Sequence, residues 1–262
     1  MTTCPIVFLT DYGLVDEFVG ICHGVMARIA PESLVIDLTH AIERQQVLQG
    51  ALVLARATAF MPPDAVYVAV VDPGVGSDRR DVAVEATSGA MLVGPDNGLL
   101  SMAWRSLGGV VRAFEIFSVE VVLPTESKTF HGRDVFAPAA AHLAAGLPIE
   151  KVGAALPVGD LELVELPGPM VAPGKVGARV VGVDGFGNVQ LNVRLEDLER
   201  AGLGNRLMLG GKSAPRVGVF ADLREGALGA IVDSQGYIAL VVNRGSASEL
   251  LGLRPGGTVV LE

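Results

Sequence analysis

The 262-residue chain is half hydrophobic, enough to pack a sizeable core, which excludes a disordered or fibrous protein. Its 29 acidic and 20 basic residues give a net charge of -9. No run of Lys or Arg could track a phosphate backbone, so no nucleic acid partner is expected.

In chain order, PIVFL (residues 5–9) is a short apolar run breaking into TDYG, which predicts a buried strand with Asp11 and Asp16 just beyond its end. The stretch DEFVGICHGVMARIA sets Phe18, Ile21, Cys22, Val25 and Met26 at helical spacing until Pro31 stops it. A strand follows at SLVIDLTH, then a helix over QQVLQGALVLARATAF. Next, PPDAVYVAVVDPGVG is a strand running into Asp72 and a glycine-rich turn. DVAVEA and MLVGPDNGLLSMAWRS continue the pattern, and TFHGRDVFAPAAAHLAAG reads as a loop entering an alanine-rich helix after Pro138. Strand and helix alternate, which predicts a layered α/β domain over 1–163 with a central, mostly parallel sheet. In such sheets ligands collect beyond the carboxyl ends of the strands, where Asp11, Asp72 and Asn97 fall.

Prolines 167, 169 and 173 mark a linker at about 164–174. Beyond it, KVGARVVGVDGFGNVQLNV, VGVFADL, GYIALVVN and GGTVVLE are short β-rich runs between turn residues, which predicts a small all-β barrel or sandwich over 175–262. Cys4 and Cys22 are too few for a disulfide framework and lack zinc-site spacing, so both are expected to be free thiols in a reducing cytoplasm. The amino terminus has no basic leader, and no apolar stretch reaches the roughly 18 residues of a membrane helix, so no membrane partner is expected.

Taken singly, the polar residues are ordinary. DPGVG is a common glycine turn, Arg79 and Arg80 read as a solvated surface pair, and His131 as a helix-cap histidine. Asp11 and Asp16 can cap a turn, and DGFGN is first a β-turn. His23 and His40 can be drawn with Asp11, Asp37 and Asp72 as metal ligands, but no HxH, HxxxH or paired-Asp spacing supports a metal.

Six segments in order, FLTDYGLVDEFVG, VDPGVGSDRR, GPDNGLLS, SKTFHGRDVFAP, DGFGN and NRGSA, resemble the S-adenosyl-L-methionine hydroxide adenosyltransferases. These are adenosine-forming S-adenosylmethionine hydrolases, relatives of the fluorinating and chlorinating enzymes. The resemblance runs from about residue 6 to about residue 255. It implies attack of water or hydroxide on the ribose 5' carbon, releasing L-methionine and adenosine with no cofactor. It also implies an α/β domain followed by a β-barrel, assembled as a homotrimer with substrate at subunit interfaces.

The hydrolytic Asp, Arg and His of the family match Asp72, Arg79 and His131, with Arg80 the neighbouring alternative for the arginine. By the same resemblance Asp11 would accept hydrogen bonds from the ribose hydroxyls, with Asp16 behind it. Asp184 would meet the methionine ammonium, Phe186 would form an apolar wall, and Asn188 would contact adenine. Ser234 and Asn243 would be neighbours.

The chemistry suits these residue types. A sulfonium departs as a neutral thioether and needs no general acid, so the difficulty lies in a weak nucleophile, water with a pKa of about 15.7. A carboxylate and an imidazole can orient water and take its proton, and an arginine favours the developing hydroxide-like charge. Either Asp72 or His131 can be the base.

Three other readings compete. A chlorinase-like halogenase would use the same carbon, and Gly132 is shared with chlorinating relatives, but a carboxylate at Asp72 repels a bare halide. A nucleoside-binding protein without turnover, or a metal-dependent hydrolase of another substrate, would use the polar residues differently.

Overall fold

The computed structural model describes residues 3–124 and 129–262, so Ser127 and Lys128 of the motif SKTFHGRD lie outside the described residues. The chain divides into two compact units, Met1–Glu165 and Leu166–Glu262.

The first unit is built on β1 (Ile6–Thr10), α1 (Phe18–Ile29), β2 (Val35–Thr39), α2 (Val47–Ala57), β3 (Val66–Val70), β4 (Asp81–Ala86), β5 (Met91–Pro95), α3 (Ser101–Ser106), β6 (Val110–Ile116), α4 (Ala137–Ala144) and β7 (Gly153–Leu156). One seven-stranded sheet runs in the order β2-β1-β3-β5-β4-β6-β7. β1 pairs in parallel with β2 and β3, and β3 with β5. β4 is antiparallel to β5 and β6, and β7 to β6. So β1, β2, β3, β5 and β6 run one way and β4 and β7 run against them.

β1 and β3 are buried along their whole length, because helices cover both faces of the sheet, as the unbroken apolar runs require. Their side chains alternate between two cores. Ile6, Phe8, Val66 and Val68 pack with Cys22, Met26, Ala140 and Leu143 of α1 and α4. Val7, Leu9, Tyr67 and Ala69 pack with Leu54, Leu99, Leu100 and Trp104 on the other side. Together these buried faces account for the stability of the layer, each large side chain contributing about 1.5–3 kcal/mol. Thr10 is in register with Val70, so Asp11 and Asp72, just past their strands, leave the sheet at the same edge.

The segment expected as a loop before Pro138 is helical instead. Residues Gly132–Phe136 form a π-helical turn that runs straight into α4, with the Ala137 N–H donating to Gly132 O. Pro138 accounts for it: with no N–H of its own it cannot bond the carbonyl of Asp134, which accepts from the Leu123 N–H at 2.8 Å instead. The proline lies near the start of α4, where a missing donor is tolerated.

The second unit contains β8 (Met170–Ala172), β9 (Lys175–Val183), β10 (Val189–Arg194), α5 (Leu195–Arg200), β11 (Arg206–Leu209), β12 (Lys212–Pro215), β13 (Leu228–Val232), β14 (Tyr237–Val242), α6 (Ala247–Leu251) and β15 (Thr258–Leu261). The path β13-β14-β10-β9-β15 is antiparallel, β8 adds to β9, and β11 and β12 form a hairpin. Met208 of the hairpin exchanges backbone hydrogen bonds with Glu262 at 2.7 and 3.0 Å, and the Val217 N–H donates to Ala230 O at 2.9 Å. The unit is β-rich but not all-β, since α5 and α6 pack into its core through Leu198 and Ala247.

Candidate active site

A cleft of about 380 Å³ opens in the first unit beyond the ends of β1 and β3, with Asp11, Tyr12, Phe18, Asp72, Phe130 and His131 in its wall. Behind Asp72 lies Arg79, its side chain almost wholly buried. Arg79 Nε donates to Asp72 Oδ1 at 2.8 Å, and its Nη2 donates to Asp72 Oδ2, closing a two-pronged fork. Nη2 also stands 3.2 Å from His131 Nδ1. The guanidinium carbon is 5.4 Å from the centre of the Phe136 ring, in the π turn that follows His131. Burial works against the arginine charge, but the hydrogen bonds and fields of Asp72 and Asp81 outweigh it and raise its pKa.

The turn DPGVGSDRR brings this about locally. Gly76 takes a φ of +80°, in the left-handed region that favours glycine, and Ser77 Oγ donates to Gly74 O at 2.7 Å. Of the two arginines, Arg79 meets Asp72 and His131. Arg80 points elsewhere, donating to Asp96 Oδ2 from Nε at 2.9 Å and Nη2 at 2.6 Å, and to Asp160 O.

Asp81, which the sequence reading passed over, is the fourth member of the cluster. It accepts from Arg79 Nη1, and its carboxylate lies 3.0 Å from His131 Nδ1. One ring nitrogen cannot donate to Asp81 and accept from Arg79 at once. Asp81 is the first residue of β4, and its place in an alternating apolar strand gave it the look of an exposed polar end. The available signal was a third carboxylate two residues past Arg79.

Asp11, in the cleft wall, accepts from the Gln45 N–H through Oδ2 at 2.9 Å, which leaves Oδ1 without a hydrogen bond to a described residue. Gln45 is held at a φ of +66°, a conformation costly for a residue with a side chain. Asp16 is exposed and does not line the cleft. Three aromatic rings, Tyr12, Phe18 and Phe130, meet edge to face at centroid distances of 5.2 to 5.9 Å. None of the three is a motif residue with an expected role. They are a wall suited to a flat ring or a desolvated cation. Burial, then the fields of Cys22, Asp11 and Asp72, hold the Tyr12 phenol well above its ordinary pKa, so it stays neutral. Gly132 has no room for a side chain: a Cβ there would collide with the Tyr12 hydroxyl and lie 2.9 Å from Cζ. Asn97 props the strand end, donating to Val71 O at 2.9 Å.

In the second unit, Asp184 organises its own turn. Oδ1 accepts from the N–H groups of Phe186 and Asn188, both at 2.9 Å, and Oδ2 accepts from Asn188 Nδ2 at 2.8 Å. Phe186 is exposed, and with Asn188, Phe220, Arg244 and Ser246 it lines a shallow cleft of about 470 Å³. Ser234 and Asn243 do not line it. Ser234 is exposed in the turn after β13, and Asn243 ties down a loop by donating to Leu223 O at 2.7 Å.

Of the residues drawn earlier as metal ligands, Asp11 and Asp72 belong to the first cleft, while His23, Asp37 and His40 gather on their own.

The profile of the SAM hydroxide adenosyltransferase N-terminal domain matches residues 6–153, and that of the C-terminal domain matches residues 178–260. The chain belongs to the SAM hydroxide adenosyltransferase family. Similar family members include the (R)-S-adenosyl-L-methionine hydrolase of Salinispora tropica, 48% identical over 95% of this chain and 94% of that protein. That of Thermus thermophilus is 42% identical over 98% and 99%. A fluorinase of Nocardia brasiliensis is more distant, 32% identical over 97% of this chain and 95% of its own. Among solved structures, a conserved protein of Thermotoga maritima superimposes with a TM-score of 0.87 at 37% identity, covering 98% of this chain and 99% of that one.

Proposed function

We propose that this chain hydrolyses S-adenosyl-L-methionine to adenosine and L-methionine, by attack of water on the ribose 5' carbon. The observation that carries the reading is a cleft carboxylate, Asp72, held by the Arg79 fork beside His131, in a chain whose full-length relatives are named (R)-S-adenosyl-L-methionine hydrolase. The R configuration at sulfur is taken into the proposal from those names.

In the proposed mechanism the water lies between Asp72 and His131. Both Asp72 oxygens already accept from Arg79, so a remaining lone pair orients the water. His131 takes the proton in this reading. The acceptor-only carboxylate of Asp81 lies nearer Nδ1 than Arg79 does, which favours the proton on Nδ1 and leaves the lone pair on Nε2, a nitrogen with no hydrogen bond to a described residue. Asp81 is thus a positioning residue, and Arg79 the group that stabilises developing negative charge. Alignment of the water behind the carbon supplies part of the rate, up to about 7–11 kcal/mol for a fully oriented pair.

Asp11 takes the ribose hydroxyls through Oδ1, and the aromatic wall takes the adenosyl group or the sulfonium. Asp184, Phe186, Asn188, Ser234 and Asn243 remain proposed contacts, with Asp16 behind Asp11. The domain division is 1–163 and 175–262, the second closed as a barrel through the β11–β12 hairpin. The reaction needs no resident cofactor. The enzyme is read as a homotrimer with substrate at subunit interfaces, in the cytoplasm. Two free cysteines support that location, as does the absence, among the described residues, of any helix long and apolar enough to cross a membrane. The net charge of -9 supports the absence of nucleic acid.

The test is turnover of each sulfur epimer in oxygen-18 water, with chloride or fluoride present. Label in the adenosine 5'-hydroxyl, abolished in Asp72→Ala, is the expected result. A 5'-halogenated nucleoside in place of adenosine, or binding without turnover, would overturn it.

A further inference from the structure

Outside the cleft, His23 on α1, Asp37 on β2 and His40 just after β2 turn their polar atoms toward one point. His23 Nε2 lies 2.9 Å from Asp37 Oδ1 and His40 Nε2 lies 3.1 Å from the same oxygen, with all three ligand atoms within 4.8 Å of one another. A hydrogen-bonded pair accounts for His23 and Asp37 but not for His40. Its side chain is 3% exposed, and although its Nε2 is near Oδ1 it is out of line for a hydrogen bond, with no other partner among the described residues. An orphaned nitrogen at that depth is costly unless something shares it.

We propose that His23, Asp37 and His40 bind a divalent transition-metal ion of the zinc class, at a site separate from the reaction cleft. Two imidazoles and one carboxylate are the donor set such ions take, with the fourth position left to water. Bonds of about 2.1 Å in a tetrahedron set ligand atoms roughly 3.4 Å apart, so the two imidazole–carboxylate separations, 2.9 and 3.1 Å, need to open by only a few tenths of an ångström, at the half-exposed His23 and Asp37.

The surroundings are those of a ligand histidine. His40 Nδ1 is 2.9 Å from Thr10 Oγ1, so its N–H has an acceptor when Nε2 binds the ion. The Phe8 ring packs against both imidazoles, at 4.8 Å from His40 and 5.9 Å from His23. One ion would cross-link α1 to the edge strand β2 and the turn after it. The proposal does not depend on the hydrolase reading, because none of the three residues lines the cleft.

The experiment uses the full chain, stripped by a chelator and titrated with Zn²⁺ alone in a calorimeter, beside His23→Ala and Asp37→Asn. Both substitutions fall at half-exposed positions and leave the core intact. One Zn²⁺ per chain is expected, with affinity at least roughly tenfold weaker in each variant. At about a hundredfold excess over the wild-type Kd, zinc raises the wild-type Tm by on the order of 5 °C and shifts each variant by roughly half of that or less. Co²⁺ in the same site gives the intense visible absorption of a four-coordinate centre. No saturable binding, or binding undiminished in both variants, overturns the site. Loss of S-adenosylmethionine hydrolysis on zinc removal, restored by zinc, overturns its separation from the reaction cleft, whereas unchanged turnover supports it.

Discussion

The Asp81 carboxylate lies 3.0 Å from His131 Nδ1, while Arg79 links the same aspartate to Asp72 on the other side. The cation therefore sits between two carboxylates and next to the imidazole, and each aspartate has a separate task. Asp72 faces the cleft, and Asp81 orients the ring.

Asp81→Asn keeps the size of the side chain but offers an amide that can donate to Nδ1 and favour the other tautomer. Expected is a fall in kcat on the order of 10²-fold with KM changed less than about twofold, since Asp81 does not line the cleft. The ¹⁵N shifts of the His131 ring should show protonated Nδ1 in the wild type and a changed tautomer in the variant. A kcat within twofold of wild type would remove Asp81 from the mechanism.

Arg79 and Arg80 separate by readout. Arg80→Ala leaves the buried Asp96 carboxylate short of its main partner and should cost about 1–3 kcal/mol in denaturant unfolding, with kcat of the folded protein near wild type. Arg79→Ala leaves both Asp72 and Asp81 without their cation and should lose turnover as well as about 3 kcal/mol. The reverse pattern would move the catalytic arginine to Arg80.

Gly132→Ala should destabilise by about 1–3 kcal/mol and impair turnover, because the new methyl drives against the Tyr12 ring and displaces His131 beside it. Combining it with Tyr12→Phe removes the hydroxyl that is hit first. The double variant is expected to lose less stability than the two single losses added together, and strict additivity would mean that the two residues do not meet.

Cys22 supplies a pH test of the α1 core. Burial pushes its thiol up to about 12, from an ordinary value of 9.0. Between those values the folded chain holds a proton that the unfolded chain releases, so stability is full below pH 9 and falls as pH rises toward 12, with a slope of up to about 1.4 kcal/mol per pH unit from this group. Cys22→Ala lowers stability at neutral pH by leaving a small void but flattens that alkaline slope. An unchanged slope in urea unfolding between pH 9 and 10.5 would contradict the assignment.

Local order was legible in the residues themselves. Unbroken apolar runs at Ile6–Thr10 and Val66–Val70 announced strands buried on both faces, and the spacing of Cys22, Val25 and Met26 announced the face of α1, because burial periodicity is a property of the nearby chain. The family motifs carried Asp72, Arg79 and His131. What no spacing could reveal were the pairings between distant segments. Asp81 and His131 are 50 residues apart and meet only because β4 and the π turn after Phe130 converge on one edge of the sheet. His23, Asp37 and His40 come together because α1 packs beside the edge strand that follows it. Even Pro138, read as the start of a helix, acts through a long-range partner, since the carbonyl it releases is taken by Leu123. Side-chain chemistry and the succession of strands and helices along the chain were set locally. Which arginine meets Asp72 and His131, and which carboxylate lies beside the histidine, was decided by tertiary packing, because a polar group takes whichever partner the fold brings within about 3 Å.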